Sequence, residues 1–474
     1  MAVAPLQSDM PAPPLPPRYR ALRRCMVISL ALVAWHVGLW FLWNFEADRR
    51  LRAFVAERRA LREPVLAEDF ARPVVVDEEN AAHWLAKASD ALYSDPLTGV
   101  GWRDEREFPV CEAGGRPELD AVRDIFALAR RAADCPVADF GGSFTSPVVN
   151  NFYPTTGFSI SVLRLIAHGA CAAAQSRDLQ RSIDLIDLDL RIARQYLTPP
   201  RSIVSVATYA ALRERISNVV ACISAGPRGS LTHERESLRA IAAELCNDRG
   251  FGSHLRDALL VERLVVLDAG WNYSRPEVLA ALRDPMLAHL YGHNPLTDVP
   301  VVFDPAFRLA AWHTCKRITV LADLAGANDG KLVHELAQPR SWNLFPCCLQ
   351  HPLLDVGRED AGLRYLMQLT LARIASTRAS GIILAARLFE EDHGCVPNAL
   401  QDLVPMYLDE LPRDPFSRTS GTFCYLWWTD PPRVFSVGPG GDYDGMPERR
   451  LNEESAQSEV YRTHCAIGLL APRD

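Results

Sequence analysis

With 474 residues, 48% apolar side chains and a net charge of −7, the chain holds enough material for two or three packed domains. Six of the 51 basic residues fall in the first fifty positions against Asp9, Glu46 and Asp48, so the remainder is more acidic still. That balance argues against nucleic acid as a partner, because phosphate binding needs a basic face.

Lysine occurs only at Lys87, Lys316 and Lys331. The predominance of arginine reads as GC-rich codon usage rather than as a phosphate-binding patch. Twelve cysteines are present, including the adjacent Cys347 and Cys348, but none has Cys-x-x-Cys or zinc-ligand spacing. Most of them read as small buried hydrophobes.

Residues 1–24 form a tail with prolines from Pro11 to Pro17, followed by Arg18, Arg20, Arg23 and Arg24. From Cys25 to Phe45 no residue is charged. Twenty-one residues at a helical rise of about 1.5 Å reach roughly 31 Å, the thickness of a bilayer's hydrocarbon core. Trp40, Trp43 and Phe45 cluster at one end, as in an interfacial aromatic belt. The run exceeds a signal-peptide core, and no small-x-small cleavage site follows it, so an uncleaved transmembrane helix is expected over 25–45. His36 reads as a neutral side chain tolerated within that helix.

Residues 46–76 are expected to form a charged juxtamembrane helix and a linker punctuated by Pro64 and Pro73. A helical domain is then predicted over 77–356. Glu79 to Tyr93 carries Ala82, Leu85, Ala88 and Leu92 on one face, and 94–115 reads as a loop. Pro117 suits the first turn of a helix running to Ala133. Ile160, Leu163, Ile166, Ala170 and Ala174 make one apolar stripe, and Ile183, Ile186, Leu190, Ala193 and Leu197 make a second. The polar break Ser176-Arg177-Asp178 between them predicts an antiparallel hairpin. Further helices are expected near 203–224, 231–247, 255–271 and 305–327. No copy at a 34-residue period supports tetratricopeptide repeats, so an irregular bundle is expected.

Two charged residues fall on apolar stripes. Glu262 lies in line with Leu255, Leu259, Val266 and Ala269, and Arg213 lies among Val206, Tyr209, Ile216 and Val220. Each is either a buried group with a shifted pKa or a structural partner between helices. No nucleophile is tied to Glu262.

Residues 357–450 change character. One long helix to His393 ends at Gly394, a residue suited to a helix C-cap. A short helix (398–407), a turn at Leu411-Pro-Arg-Asp-Pro415 and β-like runs at 422–429 and 433–437 follow. The chain closes on Gly438-Pro-Gly-Gly-Asp-Tyr-Asp-Gly445 and a tail over 451–474.

The series Ala385-Ala-Arg-Leu-Phe-Glu-Glu-Asp-His-Gly394, Pro397-Asn-Ala-Leu-Gln-Asp-Leu403, Leu411-Pro-Arg-Asp-Pro415, Tyr425 and Phe435-Ser-Val-Gly438 resembles the C-terminal module of type II secretion major pseudopilins. The likeness covers about the last fifth of the chain. The whole chain, with its Asn80-Ala-Ala82 helix start, is also similar to a family of bacterial membrane-anchored helical proteins of unassigned activity. The pseudopilin resemblance implies a small α+β unit whose Gly/Asp loop holds calcium, with Asp442, Asp444 and Glu448 as oxygen donors. From the residues alone, two closely spaced aspartates read as a solvated turn, and calcium rests mainly on the resemblance. The N-terminus lacks a prepilin peptidase site and a Glu early in its apolar helix, which departs from pseudopilins.

Several motifs are incomplete. His334-Glu335 lacks the second histidine of a zinc protease, and Gly141-Gly-Ser143 lacks a nucleophile-elbow frame. His289 and His293 share helical spacing beside the breakers Gly292 and Pro295.

The expectation is a mainly α protein: an N-terminal transmembrane helix, an irregular helical bundle, then a long helix with a pseudopilin-like module. The resemblance implies a bacterial inner membrane, a body outside the cytoplasm, and membrane lipid and other envelope proteins as partners. The function expected is a non-catalytic scaffold, with a membrane-anchored hydrolase as the alternative.

Overall fold

The computed structural model describes residues 17–71, 75–94, 123–140, 144, 146, 148, 157–197, 202–226, 231, 233–247, 250–272, 300–327, 331–337, 361–417, 421–427 and 432–438. Helix α1 (Pro17–Ala60) is unbroken. Its apolar half projects Met26, Ile28, Leu30, Val33, Trp35, Phe41 and Phe45 outward, all exposed. Beyond Glu46 the pattern changes to spacings of three and four. Ala47, Leu51, Phe54 and Val55 are buried, as expected of a helix laying one face on a core. The predicted span and the charged helix after it are therefore one continuous helix, long and apolar enough to cross a membrane.

The partner of that face is α9 (Pro300–Gly326), which packs extensively on α8 (Phe251–Asn272). Leu51 and Phe54 share a small core with Leu267, Ala311 and Cys315. Nearer the apolar half, Ala47 packs with Leu309 and Ala310, and Arg308 donates to Asn44 Oδ1 at 3.1 Å.

A main core unites the other helices. Helices α2 (Ala81–Ser94) and α3 (Arg123–Asp134) pair, and α2 packs on α4 (Gly157–Gln175). Asn80 fixes that corner. Its Oδ1 accepts the N–H groups of Ala82 (3.0 Å) and Asp139 (2.8 Å), while its Nδ2 donates to the Asp139 carbonyl. The expected hairpin forms from α4 and α5 (Leu179–Gln195). Arg177 takes a left-handed backbone (φ 62°) at the turn, and the Asp178 side chain accepts the Arg181 N–H as an N-cap.

Helix α6 (Ile203–Ser224) is buried on most of its circumference and contacts α4, α5, α8 and α11 (Ala361–His393). Helix α7 (Arg235–Cys246) covers another face of α11, and α10 (Lys331–Ala337) sits beside α9.

The C-terminal unit keeps the predicted order with shorter elements. Helix α11 ends at His393, and Gly394 has φ 71°, the conformation a glycine C-cap supplies. The helix predicted over 398–407 is only a 3-10 turn, Leu400–Leu403, because Pro405 has no N–H to continue it. Strands β1 (Cys424–Leu426) and β2 (Arg433–Phe435) pair antiparallel, with Tyr425 opposite Val434. The last described residue is Gly438, so Asp442, Asp444 and Glu448 lie outside the described residues, as do His289, His293 and Gly141–Ser143.

Candidate functional site

Glu262 points inward as its stripe predicts and is 2% exposed. Its Oε1 accepts the Ile203 N–H at 3.1 Å, the first helical residue of α6. Beside it, the Ser202 hydroxyl accepts the Ser205 N–H at 3.1 Å. A helix start leaves N–H groups without intrahelical partners and carries partial positive charge. The carboxylate and the hydroxyl together meet both needs. Glu262 is thus engaged at a helix end.

Arg213 is also buried as predicted, and its guanidinium bridges helices. It donates to the Tyr209 hydroxyl on α6 and to the Glu244 carbonyl of α7 at 2.6 Å. Arg263, unremarked in the sequence, is completely buried. It donates to Glu63 Oε2 (2.8 Å), Thr319 Oγ1 (3.0 Å) and the Pro64 carbonyl (2.9 Å).

Asp189 is of another kind. It is 1% exposed on α5, and among the described residues neither carboxylate oxygen has a hydrogen-bond partner. Burial pushes its pKa up to about 8, opposed by the Arg215 guanidinium on α6. Around it lies a mixed set of charges. Glu214 pairs with Arg373 of α11 at 3.3 Å, and burial raises the Glu214 pKa. Burial, then Arg164 of α4, lowers the Arg215 pKa. The group joins α4, α5, α6 and α11. The clue was in Leu185-Ile-Asp-Leu-Asp-Leu190: α5 is apolar at Leu185, Leu188 and Ile192 as well as along its main stripe, which leaves Asp189 no wet face.

A cleft of about 450 Å³ opens where the α7–α8 connection, the end of α9 and α11 meet residues Leu408–Arg413. Its polar lining is Asn247, Ser253, Arg378, Asp409, Glu410 and Arg413. Arg378 reaches across to donate to the Arg413 carbonyl. Both charge signs are present, an arrangement suited to holding a polar segment by complementary contacts. Glu262, Asp189 and Arg263 are not among its lining residues. Among the described residues, no group of three or more His, Cys, Asp or Glu is placed to hold a metal ion.

Asp414, inside the Leu411-Pro-Arg-Asp-Pro415 turn, organises the C-terminal unit. It is buried and accepts from Phe416 N (2.9 Å), Ser436 Oγ (2.8 Å) and Val437 N (2.7 Å), so one carboxylate ties the turn to the residues following β2.

No protein-family model, curated protein or solved structure matches the chain.

Proposed function

We propose that this is a single-pass protein of the bacterial inner membrane whose helical body, outside the cytoplasm, is a non-catalytic scaffold for contacts with other envelope proteins. The observation that carries the reading is the single course of α1: one exposed apolar half, then one half docked on α9 without a break. A detachable leader needs no such docking. Glu46, gripped by Arg49 (2.8 Å) and Arg50 (2.7 Å), begins a polar collar next to the apolar segment. Glu262, Arg213 and Arg263 are engaged between helices, which suits a scaffold better than a reaction centre.

The C-terminal unit supports a pseudopilin-like reading through its order of elements: long helix, 3-10 turn, Asp414 turn and antiparallel strand pair. Calcium, on that reading, falls to Asp442 and Asp444.

The test is membrane fractionation with alkaline carbonate washing, combined with reporters fused after Asp474 that work only outside or only inside the cytoplasm. Retention in washed membranes with the outside reporter active is expected. Release by carbonate would remove the anchor, and an active inside reporter would reverse the orientation. In-cell cross-linking from the body should then capture envelope proteins reproducibly, and its failure across growth conditions would argue against a scaffold.

A further inference from the structure

Helices α4 and α6 lie side by side, and near the far end of that contact the Cys171 and Cys222 sulfurs are 3.8 Å apart. Cys171 is 6% exposed within the main core, while Cys222, in the last turn of α6, is only half-buried. The two thiols therefore differ in access and share one contact.

We propose that Cys171 and Cys222 form an oxidisable dithiol whose disulfide staples α4 to α6. A disulfide has sulfurs about 2.05 Å apart, so closure needs an approach of roughly 1.8 Å, within reach of side-chain rotation on adjacent helices. The pair is 51 positions apart, and the closed loop encloses the whole of α5. The oxidant is a small-molecule or protein disulfide. The accessible Cys222 loses its proton, and its thiolate attacks one sulfur of the oxidant. The oxidant's S–S bond breaks, one thiolate leaves and takes up a proton, and Cys222 is held as a mixed disulfide. Cys171 then loses its proton and attacks Cys222 Sγ, expelling the second thiol. Two protein thiols are oxidised and one disulfide is reduced to two thiols, which balances electrons and protons. The lesser burial of Cys222 sets the order, because Cys171 is the more enclosed of the two.

The geometry stands independently of the anchor. A body outside the cytoplasm would place the pair where such oxidants abound.

The experiment uses the purified full-length chain in detergent. It is treated with excess oxidised glutathione, blocked with N-ethylmaleimide, digested without reductant and mapped by mass spectrometry. A linked peptide joining Cys171 to Cys222 is expected, together with a Tm rise of about 5 °C over the reduced protein. In Cys171→Ser, Cys222 should accumulate as the glutathione mixed disulfide, because the resolving thiol is gone. In Cys222→Ser, Cys171 should stay reduced. Recovery of both cysteines as maleimide adducts in the wild-type chain overturns the proposal. So does a stable glutathione adduct on wild-type Cys222, which would mean that Cys171 cannot reach it.

Discussion

Arg263 and Glu63 stand 200 positions apart in sequence, yet Arg263 Nη1 and Glu63 Oε2 meet at 2.8 Å with the arginine wholly buried. Because the same guanidinium binds the Pro64 carbonyl and Thr319, it joins the segment after α1 to both α8 and α9. Removing one partner of a buried ion pair costs about 3–5 kcal/mol, much of it from the group left behind. Arg263→Ala should therefore destabilise the chain by about 3 kcal/mol in urea unfolding. Glu63→Gln should cost at least as much, since it leaves the wholly buried Arg263 cation without its counter-charge. An Arg263→Ala midpoint indistinguishable from wild type would show that the junction holds by apolar packing alone.

Asp189 predicts a pH dependence. Its folded pKa of about 8 lies above the ordinary 3.8. Between about pH 4 and pH 8 the unfolded chain releases a proton that the folded chain keeps, so stability falls as pH rises through that window. Asp189→Asn removes this contribution and should flatten the slope of Tm against pH, with its largest relative gain at the alkaline end. An unchanged slope would mean that Asp189 is ionised in the fold.

Asp414 holds two backbone N–H groups and one hydroxyl. Asp414→Ala leaves those buried donors without their acceptor, at a cost of about 1–3 kcal/mol for each such group. The expected result is faster amide exchange over 411–437, with α2 to α5 unaffected. Uniform acceleration across the body would contradict a local role.

Gly381 permits the close approach of α11 and α7. A Cβ there would lie 2.6 Å from Cys246 Sγ and 2.9 Å from the Ala242 carbonyl oxygen. Gly381→Ala should cost about 1–3 kcal/mol despite alanine's better helix propensity. A rise in Tm on this substitution would show that the two helices part easily.

Periodicity made the helices legible. The α4–α5 hairpin, the long α11 and its Gly394 cap follow from local spacing and local backbone preference. Glu262 and Arg213 were legible as inward-facing, but their partners were not. The Ile203 N–H lies 59 positions from Glu262, and the Glu244 carbonyl lies 31 from Arg213, separations no local pattern encodes. Arg263 is not legible in the sequence because α8 is buried almost all round, so an interior position on it looks like any other. Asp189 is hidden for a related reason: the dominant stripe of α5 masks its second apolar flank. Over 398–407 a short helix is expected, and Pro405 confines it to the 3-10 turn Leu400–Leu403.

Helix α1 also has a mechanical consequence. Its 44 residues form a rod of about 66 Å with no joint along its length. The body grips the last few turns of that rod through Ala47, Leu51, Phe54 and the neighbouring Arg263 clamp. Any lean of the apolar half is thus delivered to the body undiminished, as a lever delivers motion to its load. On the proposed membrane reading, a bilayer that thins or thickens would swing the body through an arc.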